Sequence, residues 1–79
     1  MSVVLIGRWD AETLEIEESH AVRDGDLEAI GALLSGRSGI WWSCEYLVDR
    51  HRDAVQRAYE NLAPGQVLVD EVEGFDPVP

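Results

Sequence analysis

The chain has no lysine, one cysteine, one phenylalanine, three prolines and no apolar run longer than Val3–Ile6. Each shortage excludes a class. A lone Cys44 cannot form an internal disulfide, so this is not a stapled secreted scaffold. Without lysine there is neither a nucleotide-binding P-loop nor a Schiff-base nucleophile. Four apolar residues with no basic flank make neither a signal peptide nor a membrane span. The expectation is a cytoplasmic protein beginning at its own Met1.

What remains is acid. Sixteen Asp and Glu face six arginines, a formal net charge of -10 over 79 residues. Residues 1–36 hold eight acids and two arginines, a net −6. Residues 37–63 hold four of each sign, and residues 64–79 add four acids with no base. Such a surface repels nucleic acid and anionic membranes and attracts basic protein surfaces. A hydrophobic content of 46% nevertheless supports a small core, so one globular domain over residues 1–79 is expected, with 73–79 as a loose tail.

The pattern predicts an α+β fold. Val3 to Trp9 reads as a strand covered on both faces, since its apolar residues do not alternate. Thr13 to Glu17 alternates cleanly and pairs with it as a hairpin. Asp24-Gly25-Asp26 starts a helix carrying Leu27, Ile30, Leu33 and Leu34. A second helix is predicted from Ile40 to Leu62, capped by Ser38 and ended by Ala63-Pro64-Gly65, because Ile40, Trp41, Cys44, Leu47, Val48, His51, Val55, Ala58, Tyr59 and Leu62 recur at steps of three and four. Val67 to Val69 is a third strand. The expected order is β-β-α-α-β: a three-stranded sheet with a two-helix hairpin on one face. The other face would stay open, an apolar strip drawn from Val4, Ile6, Leu68 and Val72 inside an acidic rim.

Catalytic chemistry does not assemble. Cys44 and His51 would stand about 10.5 Å apart along a helix, beyond hydrogen-bond reach. Glu45, Asp49 and Asp53 would line one helix face, but Arg52 and Arg57 compete with any cation. Asp24, Asp26 and Glu28 imitate the start of a calcium loop, which then fails at Ala29 and Ser35. Gly36-Arg37-Ser38-Gly39 reads as a turn rather than an anion site. His20 beside Glu17 and Glu18 lacks a nucleophile, leaving only a single residue lent to a composite site. No enzyme activity, cofactor or metal is expected.

In its size, its single α+β domain and the carboxylates of Asp10 to Glu18, Asp24 to Glu28 and Asp70 to Asp76, the chain resembles the small acidic inhibitors of phages and mobile elements. Anti-CRISPR proteins and DNA-mimic inhibitors belong to that class. The resemblance implies a non-enzymatic protein that occupies a basic surface on a nucleic-acid-handling complex, without binding nucleic acid or membrane itself. Nucleic-acid enzymes offer arginine- and lysine-lined channels, which a rigid carboxylate array can fill. The residues expected to bind the partner are Glu12, Glu15, Glu17, Glu18, Asp70, Glu71 and Glu73, with Trp42 as an aromatic anchor. The alternative is a self-associating structural, adaptor or immunity-type domain that forms a homodimer through an open sheet face.

Overall fold

The computed structural model describes all 79 residues, in the order β1 (Ser2–Asp10), β2 (Thr13–Val22), α1 (Leu27–Leu34), β3 (Trp42–Tyr46), α2 (His51–Glu60) and β4 (Val67–Asp70). The four strands form one mixed sheet in the spatial order β3-β1-β2-β4. β1 runs antiparallel to both β2 and β3, and β4 is parallel to β2. It follows that β3 and β4, the two edges, point the same way, and α2 carries the chain across the sheet between them.

The expected hairpin of β1 and β2, the first helix and the last strand are all present. The second helix is corrected: only His51–Glu60 is helical, and Trp42–Tyr46 is a strand, making four strands and the order β-β-α-β-α-β. The misreading has a physical source. Trp42, Cys44 and Tyr46 recur at a two-residue period within the same stretch in which Ile40, Trp41, Cys44 and Leu47 recur at helical steps, and short apolar runs do not distinguish the two. Aromatic and β-rich segments also favour a pleated surface over a helix. Ser38 therefore caps nothing; its carbonyl accepts the Trp41 indole N–H at 2.8 Å. Glu45, Asp49 and Asp53 fall on a strand, a loop and a helix and form no row.

The two helices lie on opposite faces, not together on one. Val3, Leu5, Leu14, Ile16, Tyr46 and Leu68 pack with Ala54, Val55 and Ala58 of α2, where two alanines let the helix sit close to the strands. Val4, Ile6 and Val22 pack on the other face beneath Ala29, Ile30, Leu33 and Leu34 of α1, with Trp41 alongside. This is why Val3 to Ile6 does not alternate: successive residues of a central strand enter two separate cores. The Asp26 side chain caps α1 by accepting the Ala29 N–H at 3.1 Å.

Opposite Ile6 and Gly7, β2 contains one extra residue, Glu17. Gly7 makes this bulge possible. A Cβ there would stand 2.1 Å from the Glu15 carbonyl oxygen, a separation only glycine avoids. The bulge ends the strict alternation of β2, so that Glu17 and Glu18 both meet arginines on the α1 side.

The carboxy-terminal segment is pinned rather than loose. Phe75 packs against the α2-side core with the Arg52 guanidinium over its ring, and the Val78 backbone exchanges two hydrogen bonds with Gln56, at 2.9 and 3.0 Å.

Candidate functional site

α1 is only eight residues long and covers only part of its sheet face. Beyond Ile6, the same face continues with Arg8 and Asp10 of β1, Thr13 and Glu15 of β2, and Val67 and Val69 of β4. Strand register places these side chains together: Arg8 is opposite Glu15, Asp10 opposite Thr13, Thr13 beside Val67, and Glu15 beside Val69. Val67 is 53% exposed and Val69 41%. No helix covers this half.

A row of paired side chains divides the covered half from the open one. Arg37 is turned inward, with its side chain 18% exposed. Its guanidinium bonds both carboxylate oxygens of Glu18 and donates through Nε to the Leu33 carbonyl. Arg37 and Arg8 each place a guanidinium 5.0 Å from the centre of the Trp41 ring, within the range of a cation–π contact. Arg8 in turn makes a two-point contact with Glu17 at 2.7 and 3.1 Å. The His20 ring also meets Glu18, at 2.9 Å from Oε1. The Arg37 guanidinium, followed by His20, lowers the Glu18 carboxyl to about 2.

Past this row the acids have no bases. Asp10, Glu12, Glu15, Glu71 and Glu73 take part in no salt bridge. Glu12 lies in the hairpin turn, where its carbonyl accepts the Val67 N–H at 3.0 Å, and Glu71 follows β4 directly, its N–H bonded to the Ile16 carbonyl. The only cation on the open half is Arg8, which Glu17 already neutralises. Two exposed valines thus sit among uncompensated carboxylates carried by, or adjoining, hydrogen-bonded strands.

The expected contact residues divide accordingly. Glu12, Glu15, Glu71 and Glu73 are free to act, whereas Glu17 and Glu18 are engaged by arginines. Asp70 is corrected: at 5% exposure it is a buried structural group. Its Oδ1 accepts the N–H groups of Val72 and Glu73, and its Oδ2 those of Phe75 and of the His51 ring, the last at 2.8 Å. Burial raises the Asp70 pKa, but the bonds from His51, Phe75 and Val72 outweigh it and hold it below the usual range. Trp42 is half-buried against the α2-side core. Val4, Ile6 and Leu68, expected on the open strip, are buried, and Val67 and Val69 take their place. Alternation within Val67-Leu68-Val69 was visible in the sequence; which parity faced outward depended on which face α2 crossed.

The Cys44 thiol is half-buried and directed at the Glu45 carbonyl at 3.7 Å. Burial, then the neighbouring Cys44, raises the Tyr46 hydroxyl pKa. No three His, Cys, Asp or Glu side chains are grouped to hold a metal ion. No helix is long and apolar enough to cross a membrane. The fold and site define a small α+β protein with a mixed four-stranded sheet and one acidic, half-uncovered face. No family model, curated protein or solved structure matches the chain.

Proposed function

We propose that this protein is a non-enzymatic acidic inhibitor that occupies a basic surface on a nucleic-acid-handling complex, in the manner of anti-CRISPR and DNA-mimic proteins. The observation supporting this reading is the open half-face itself, where Asp10, Glu12, Glu15 and Glu71 surround Val67 and Val69 with no free cation among them. The backbone that carries these carboxylates is held by the sheet, so association loses little backbone entropy and gains electrostatic steering. The two valines add apolar area that a purely ionic contact lacks. Self-association through this face is disfavoured, because two copies would bring like charges together.

The test is a double charge reversal, Glu15→Lys with Glu71→Lys. The tagged protein is used to capture partners from nuclease-treated bacterial lysate at about 0.1 M and about 0.5 M salt, conditions that separate screened from unscreened ionic contacts. Each captured complex is then tested for displacement of its nucleic acid. The wild type is expected to displace nucleic acid at low salt, and the double variant to fail while keeping its melting temperature. Equal displacement by both proteins, or none by either, overturns the reading.

A further inference from the structure

We infer that the occupant of the open half-face is an extended basic segment of the partner, added as a fifth strand along the outer edge of β4 with a basic side chain at every second position. This inference rests on the function proposed above and specifies how the partner is held.

The backbone supplies the first argument. In parallel pairing, alternate residues of β4 bond to β2. Val67 donates to Glu12 and Glu71 to Ile16, each at 3.0 Å, so the main chain of Leu68, between them, points away from the sheet. Leu68 takes part in none of the backbone bonds made outside helices and strands. β4 has no lysine, no proline and no bulge, and its only guards are its length of four residues and the buried Asp70 carboxylate. The carboxy-terminal segment passes nearby but forms no ladder with β4. A cleft of about 330 Å³, lined by Leu68, Val69, Asp70, Gly74, Phe75 and Asp76, lies between them. Of the outward main-chain groups of β4, the Asp70 carbonyl already accepts the Gly74 N–H at 3.1 Å, so Leu68 is the position that a fifth strand would engage.

Side chains supply the second. A strand laid on β4 sits about 4.8 Å away and turns alternate residues to the open half-face. Those residues meet Val67 and Val69 first and Glu15 and Glu71 beyond. An arginine or lysine fits that sequence of surfaces, its aliphatic stem over the valines and its charged head at the carboxylates. The intervening residues face Phe75 and must be small. A second copy of this chain cannot be the occupant, since none of its strands carries bases at alternate positions.

The probe is a fluorescein-labelled dodecapeptide of alternating arginine and serine, compared with two versions N-methylated at all serines or at all arginines. N-methylation keeps the charge and removes the strand donors. The unmodified peptide is expected to bind wild type and to lose binding to the Glu15→Lys, Glu71→Lys variant. At least one methylated version should bind about tenfold more weakly. Amide exchange at Leu68 should slow in the complex, while Val67, already bonded to Glu12, stays unchanged. Binding lost on charge reversal but indifferent to methylation, with Leu68 unprotected, overturns strand addition and leaves the acidic-face reading intact. Binding unaffected by the charge reversal overturns both. Absence of binding overturns the inference.

Discussion

One face of this sheet contains two halves built from the same kinds of residue and used differently. Under and beside α1, the acids Glu17 and Glu18 are matched by Arg8 and Arg37 across the Trp41 ring. Beyond that row, Glu15 and Glu71 form no salt bridge, the Arg8 opposite Glu15 being bonded to Glu17. Paired carboxylates close the structure, whereas the unpaired ones stand in solvent. The sharpest case is in adjacent residues: Asp70 is buried under four hydrogen-bond donors, whereas Glu71 is exposed with its carboxylate free.

The largest expected effect would break the boundary between the halves. Gly7→Ala drives a methyl into the Glu15 carbonyl, and urea denaturation should show a loss of about 3 kcal/mol or more. A loss below about 1 kcal/mol would mean that the bulge rearranges freely and does not set the placement of Glu17 and Glu18. Next in size is the contrast between neighbours. Asp70→Ala strips a buried hub and should cost about 3 kcal/mol, while Glu71→Gln should change stability by no more than about 0.5 kcal/mol. Equal losses would erase the distinction drawn between them.

The smallest effect is one of pH. Glu18 has its pKa lowered from 4.5 to about 2, so its pairing adds stability that is present above the unfolded value and lost as pH falls through the folded one. The wild type should therefore exceed Glu18→Gln in thermal stability by a constant margin above about pH 5, a margin that shrinks between 4.5 and about 2. A margin unchanged down to pH 2 would show that the Arg37 pairing does not carry it.

Parts of this architecture were legible in advance. The non-alternating Val3–Ile6 run identified a central strand with both faces covered, and Thr13–Glu17 identified its hairpin partner. Glu12, Glu15, Glu71 and Glu73 were legible as candidates because acids without neighbouring bases in sequence often lack them in space. Asp70 and Glu18 failed that inference for one reason: their partners, His51 and Arg37, lie 19 residues away in each case. Only a crossover and a loop returning to the sheet bring them together.

The sequence by itself determined the charge, the hairpin, the first helix and the last strand, since these depend on local spacing and composition. Tertiary structure decided that Trp42–Tyr46 is a strand, that the helices take opposite faces, and that Val67 and Val69 rather than Leu68 meet solvent. The physical reason is parity. A strand offers two equivalent faces, and only the element packed against it decides which becomes core and which becomes surface.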